Sequence, residues 1–184
     1  MAGPKTAIKF TYEDYLHLPD DKRYELVEGE LKMVPSPTPF HQDILRRLLR
    51  ILDEYVTTYD LGKVYISPID IVLSQENVLQ PDILFIFKDR INIVTDKNIQ
   101  GAPDLIIEIL SPTTEYHDRE IKRKLYAKFG VKEYWLVNTQ EKKIEVMRLG
   151  QAGFEIVGRY GKGNILKSSL LSGLEVNLKD IFGL

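Results

Sequence analysis

No cysteine occurs in the chain. That removes disulfides, thiolate metal sites and cysteine nucleophiles, and it fits a reducing compartment. Any metal must therefore be held by oxygen or histidine. Histidine itself is scarce: His17, His41 and His117 are the three in the chain, and none stands at ligand spacing from another. No apolar run approaches the ~18 residues of a membrane span. The N-terminus carries one early lysine without the apolar stretch of a leader. A cytoplasmic location with no membrane contact is expected. A Gly-rich phosphate loop is missing too, since Gly161-Lys162-Gly163 falls in an expected hairpin turn rather than between strand and helix. No serine or histidine motif suggests a covalent nucleophile.

Neither sign of charge dominates, with 25 Lys and Arg against 27 Asp and Glu and a formal net charge of -2. The chain as a whole does not attract a polyanion, so any nucleic-acid contact must come from a local patch. The densest basic stretch, Arg119 to Lys132, is interleaved with Glu120 and preceded by Glu115 and Asp118. A solvated helix face explains it slightly better than a phosphate site.

What is present is the profile of a globular α/β protein. The 43% of hydrophobic residues fill one sizeable core, so residues 1–184 are expected to form one domain. Thr11 and Asp14 resemble a capping box opening a short helix before Pro19. Residues 24–34 read as a hairpin around Glu28-Gly29-Glu30. Thr38 and Pro39 start a longer helix in which Ile44, Leu45, Leu48, Leu52 and Val56 recur at helical spacing. Three runs rich in Ile and Val, at 64–73, 83–87 and 105–110, read as consecutive strands. A helix carrying Leu125, Tyr126 and Phe129 and closed by Gly130 leads to a fourth strand at 134–137. Residues 105–137 thus form a strand, helix, strand unit, which makes a right-handed parallel crossover. A β-meander over 143–160 and a short closing segment at 178–184 follow. The expected architecture is α/β (α+β): a mixed central sheet flanked by helices, with an N-terminal hairpin and a C-terminal meander.

The pattern breaks at two carboxylates. Leu105-Ile106-Ile107-Glu108-Ile109-Leu110 puts a glutamate in the middle of a strand apolar on both faces. A buried carboxylate must be neutralised by a proton, a base or a metal, because burying it uncompensated costs several kcal/mol. Asp82 stands after Pro81 at the mouth of another apolar strand. Turn chemistry explains an aspartate there by itself, but adjacent strands lie about 4.8 Å apart and can aim two carboxylates at one point. Such hard oxygen ligands suit magnesium or manganese, which bind through one or two carboxylates plus phosphate oxygens. Phosphodiester hydrolysis is the chemistry such an ion promotes.

Other candidates are weaker. Asp70, inside the run 64–73, reads as a ligand or as the ion-pair partner of a lysine. Asp104 follows Pro103 at a strand mouth, where solvent explains it. Glu25, Glu28 and Glu30 belong to the hairpin and mostly face water, with Glu28 retained as an accessory candidate. Asp118, Lys122 and Tyr126 are spaced four apart and share one helix face. They read either as a surface ion pair worth a few tenths of a kcal/mol or as the cation and hydroxyl of a site. His41, near the start of the long helix, points toward the sheet mouth or is simply structural.

Taken together, Pro81-Asp82, the stretch from Ala102 to Thr114, Asp118, Lys122, Tyr126, Gly130-Val131 and Glu133 to Val137 resemble the Uma-two family of restriction-endonuclease-like proteins. Tyr24 to Gly29 and Ser36-Pro37 to His41 match as well. The resemblance implies the PD-(D/E)XK nuclease core, with Asp82 and Glu108 as metal ligands for Mg2+ or Mn2+. The basic position two residues after Glu108 is occupied by Leu110, and the resemblance implies that the lysine has moved to the following helix, at Lys122. The expectation is a divalent-metal-dependent endonuclease acting on DNA, with catalytic residues Asp82, Glu108, Lys122 and Tyr126, accessory residues Glu28, His41, Asp70 and Asp118, and a homodimer that pairs two sites. Two other readings stand beside it: a non-catalytic nucleic-acid-binding or interaction domain, and a metal-dependent hydrolase of a small phosphate compound.

Overall fold

Thr11 opens the first helix, α1 (Tyr12–Tyr15), with the reciprocal cap that its spacing to Asp14 predicts. Thr11 Oγ1 accepts the Asp14 N–H at 3.3 Å, and Asp14 Oδ2 accepts the Thr11 N–H at 2.8 Å. The computed structural model describes residues 8–19 and 21–183. The ends of the expected 1–184 unit, residues 1–7 and 184, lie outside the described residues.

The hairpin follows as β1 (Tyr24–Val27) and β2 (Glu30–Met33). Its two-residue turn puts both Glu28 and Gly29 at positive φ, the geometry that matches strand twist and that glycine tolerates best. The long helix α2 (Pro39–Thr58) begins where Thr38 Oγ1 accepts the His41 N–H and Pro39 takes the first helical position. Next come β3 (Gly62–Ile66), β4 (Ile71–Ser74), β5 (Asn77–Leu79), β6 (Ile83–Phe87), a 3-10 turn (Lys88–Ile93), β7 (Ile99–Gln100) and β8 (Leu105–Leu110). A π-helical turn (His117–Lys122) runs into α3 (Arg123–Phe129), which Gly130 closes in the left-handed conformation. The chain ends with β9 (Glu133–Asn138), β10 (Lys143–Gly150), β11 (Gly153–Tyr160), β12 (Ile165–Lys167), β13 (Glu175–Asn177) and α4 (Leu178–Phe182).

The central sheet runs β11-β10-β9-β8-β6-β3. It is mixed, because β8 and β9 are parallel, from Leu105 beside Glu133 to Leu110 beside Asn138, while its other pairings are antiparallel. A second sheet, β2-β1-β5-β4-β7, carries the N-terminal hairpin, and β12 and β13 form a small ribbon. One expectation fails here. The run 64–73 is two strands, β3 in the central sheet and β4 in the second, parted at Ser67 to Asp70. Pro68 has no N–H to give a ladder, and the Asp70 carboxylate is taken by Tyr15 and Gln80. The three-residue β5, β12 and β13 and the two-residue β7 are too short to leave a periodic signal.

Alternation along β8 sorts the core. Leu105, Ile107 and Ile109 pack with Ile44, Leu48 and Leu52 of α2 on one side of the sheet. Ile106 and Leu110 pack with Leu125, Tyr126 and Tyr134 on the other. Both sides are dry, and each fully buried aliphatic chain contributes about 1.5–3 kcal/mol. Glu108 falls on the α3 side by parity, so its carboxylate enters a core with solvent access only at the end of the strand.

Candidate active site

β6 and β8 pair antiparallel with Ile83 opposite Ile107. One further step of that register sets Asp82 opposite Glu108, and residues directly opposite share a face of the sheet. Asp82 is fixed by its Oδ2 atom, which accepts the Ile109 N–H at 2.7 Å and lies 3.2 Å from His41 Nε2. His41 reaches it because the Thr38 cap and Pro39 aim the first turn of α2 at this end of the sheet.

Glu108 is fixed in the same one-sided way. Its Oε1 atom accepts from Lys122 Nζ at 3.1 Å and from Tyr126 Oη at 2.8 Å. Lys122 lies four residues before Tyr126, and the π-helical turn that contains it directs both at β8. A wider turn leaves a carbonyl available, and Asp118 O takes both the Arg123 N–H and the Tyr134 hydroxyl, the latter at 3.1 Å. Lys122 is 6% exposed and stands among three carboxylates, with Glu25 Oε1 at 2.9 Å and Asp118 Oδ1 at 3.4 Å besides Glu108.

The electrostatics follow from burial. Burial pushes the Glu108 and Asp118 carboxyls above their ordinary range, and Lys122 only partly opposes it. Burial alone would lower Lys122, but Glu108, Glu25 and Asp118 outweigh it and hold the ammonium well above its usual value. Lys122 is therefore a cation at neutral pH. Burial, then Glu108, raises Tyr126, so its hydroxyl keeps the proton it donates.

These groups line a cavity of about 600 Å³ that opens at the end of β8, with Asp82, Glu108, Asp118, Lys122, His41 and Glu25 along its polar side. Among the described residues no donor reaches Asp82 Oδ1 or Glu108 Oε2, since every hydrogen bond to the pair lands on the other oxygen. Asp118 Oδ1 is buried and, among the described residues, makes no hydrogen bond, with Lys122 Nζ standing 3.4 Å away as an ion-pair partner. Two anchored carboxylates that each keep one uncommitted hard oxygen are the donor type that magnesium or manganese takes together with water and phosphate oxygens, and among the described residues no group of three or more His, Asp or Glu side chains is placed to hold an ion by itself.

Several expected residues stand elsewhere. Glu28 is exposed in the β1–β2 turn, where its N–H donates to Asn77, and it does not reach the cavity. Asp70 does not line this cavity and, among the described residues, pairs with no lysine: its Oδ1 accepts from Tyr15 Oη at 2.9 Å and Gln80 Nε2 at 2.8 Å. Asp104 is not solvated at all. It is fully buried, with Arg90 and Lys132 each 2.8 Å from its Oδ1 and the Phe87 N–H on its Oδ2. The Asp118–Lys122 pair is buried rather than on the surface. Glu25, expected to face water, is 5% exposed, and its Oε1 accepts the Gln80 N–H at 2.9 Å while facing Lys122. Its signal was there to read: Tyr24-Glu25-Leu26-Val27 interrupts an apolar strand with an acid just as β8 does.

A mixed sheet flanked by helices, with paired acids and a lysine gathered at the end of its central strands, is the restriction-endonuclease-like fold. A crystal structure described as "a putative nuclease belonging to DUF820", from Anabaena variabilis ATCC 29413, shares it. That structure superposes with a TM-score of 0.79 at 22% identity, over 95% of this chain and 98% of the other. The family model described as "Putative restriction endonuclease" matches residues 12–179, and the chain belongs to that family, Uma2. No curated protein matches the chain. Among the described residues, no helix is long and apolar enough to cross a membrane.

Proposed function

We propose that the chain is a divalent-metal-dependent endonuclease that hydrolyses phosphodiester bonds in DNA, with Asp82 and Glu108 holding the ion between them. The observation that carries this reading is the one-sided anchoring of the two acids, which leaves Asp82 Oδ1 and Glu108 Oε2 without a donor among the described residues at the cavity wall. Family membership supports it. An ion bound there would polarise a phosphoryl oxygen and make water acidic.

The chain's own residues do the remainder. The Ile109 amide and His41 hold Asp82, and Tyr126 holds Glu108, so neither acid has to reorganise when a phosphate arrives. The Lys122 ammonium, kept charged by Glu108, Glu25 and Asp118, stabilises the negative charge that builds up on the phosphorus oxygens in the transition state and orients the attacking water. Lys122 thereby serves from the helix where a lysine two residues after the strand glutamate is absent, that position being Leu110. Glu25 and Asp118 position Lys122 and do not touch the substrate.

The test is cleavage of labelled DNA with magnesium or manganese by the wild-type protein and by Asp82→Asn and Glu108→Gln. The expected result is metal-dependent cutting that falls by roughly 10²-fold or more in either variant. Cutting that persists in both variants would remove the assignment of the site. A second reading, hydrolysis of a small phosphate compound, draws support from the cavity volume, which lies within the range of small-molecule sites. Salt separates the two, because DNA binding weakens steeply as salt rises and small-molecule binding does not.

A further inference from the structure

The cavity that holds the acids has a second wall of different chemistry. Met33 at the end of β2 and Val34, Pro35 and Pro37 just after it line one part, and Leu110 at the end of β8 and Pro112 beyond it line another. Met33 is 63% exposed, an apolar side chain with most of its surface uncovered. Two cations belong to the same cavity, Arg23 just before β1 and Lys32 within β2. Among the described residues Lys32 meets only the exposed Glu30, and Arg23 reaches the Pro35 carbonyl at 3.2 Å, so both can turn to an anion at little cost. His117 also lines the cavity, and its Nε2 is buried with no hydrogen-bond partner among the described residues. Burial and then Lys122 hold this ring below the usual histidine range, so it is a neutral donor or acceptor.

A base-paired duplex makes poor use of such a wall. It presents phosphates and sugars outward and offers its bases only as edges in the grooves. An apolar pocket beside the cleavage point would then desolvate phosphates for nothing in return. Tight duplex tracking also asks for many phosphate contacts, and a chain of net charge -2 has few to offer. An unpaired strand differs, because its base faces are exposed and can be buried against apolar side chains.

We propose that the cleft takes a DNA strand whose bases are unpaired, with one base seated against Met33 and the Pro35–Pro37 segment and neighbouring phosphates on Arg23 and Lys32. The inference rests on the nuclease reading for its choice of DNA but adds the strand state, which that reading leaves open.

The test measures binding and cutting separately. Fluorescence anisotropy, with calcium in place of magnesium, compares a labelled single-stranded oligonucleotide with the same sequence as a duplex. The single strand is expected to bind about 10-fold tighter or better. Met33→Ala, a change at a largely exposed side chain that the fold tolerates, is expected to weaken single-strand binding by roughly 5-fold through lost apolar contact with the seated base. Lys32→Ala is expected to lower the salt dependence by about one phosphate. Equal or tighter binding of the duplex overturns the inference, as does a Met33→Ala variant with wild-type single-strand affinity. Cutting with manganese then separates the two claims. A single-strand preference without cutting removes the nuclease reading and keeps the cleft assignment; duplex cut as fast as single strand removes the cleft assignment and keeps the nuclease.

Discussion

Lys122 Nζ lies 3.1 Å from Glu108 Oε1, and both side chains are buried. This contact joins a strand to the helix that follows it and supplies a cation beside an acid that the strand alone cannot provide, since Leu110 points into the apolar core. The same ammonium answers three carboxylates, so it is both the cation of the site and the compensation for burying them.

Replacing Lys122 therefore has two separable effects. Lys122→Ala is expected to lower kcat by about 10²-fold or more through loss of charge stabilisation. It also leaves Glu25, Glu108 and Asp118 facing one another without a cation, which costs about 3 kcal/mol. Urea midpoints of the variant and steady-state kinetics at a concentration well inside the folded range read the two effects independently. A variant that is destabilised but turns over at the wild-type rate would assign Lys122 a structural role alone.

Asp104 gives a pH signature away from the site. Burial would raise its carboxyl, but Lys132, the Phe87 amide and Arg90 outweigh that and hold it below the usual range. A depressed folded-state value means that the group stabilises the fold fully above its unfolded value of about 3.9, and that this contribution disappears as pH falls through the folded value. Asp104→Asn is expected to cost about 3 kcal/mol at neutral pH. The gap between wild type and variant should stay constant from neutral pH down to about 5 and close below about 4. Chemical denaturation across that range checks it; a gap that widens with acid would contradict the assignment.

Glu133 anchors the segment before β13. Its carboxylate accepts from Trp135 Nε1 at 2.7 Å, Ser168 Oγ at 2.6 Å, the Ser169 N–H at 2.8 Å and the Leu170 N–H at 2.9 Å, as well as from the Ser169 hydroxyl. Glu133→Ala strands several of these donors and is expected to cost roughly 3 kcal/mol or more. Hydrogen exchange at the Ser169 and Leu170 amides should accelerate more than exchange in β8. Uniform acceleration across both segments would mean the clamp is not local.

Much of this arrangement was legible beforehand because it obeys local rules. The caps at Thr11 and Thr38 are short-range hydrogen bonds with a fixed spacing, and the α2 stripe and β8 run announce their burial through periodicity. Glu108 was legible as a contradiction, an acid where apolar residues belong. Glu25 makes the same contradiction in a hairpin, where exposure is the default, and only the pairing of β1 with β5 brings it next to Gln80 and Lys122. Asp104 and Asp70 show the converse. Each stands near a proline where solvent or a ligand is a natural guess, and each is satisfied by partners far along the chain, Arg90 and Lys132 for one and Tyr15 and Gln80 for the other. The split of 64–73 between two sheets has the same origin, since strand partners are chosen by the whole fold.

A metal site shared by Asp82 and Glu108 is tested by calorimetric titration of manganese into the wild-type protein, Asp82→Asn and Glu108→Gln, repeated with DNA present. Both substitutions keep the shape of the side chain and its anchored contacts, so the folded structure should survive. One saturable site is expected in the wild type, with weakening by at least about 10-fold in each variant, consistent with loss of one of two carboxylate ligands. A wild-type protein that binds no manganese even beside DNA, or variants that bind as the wild type does, would contradict it and leave the two acids as part of a structural network around Lys122.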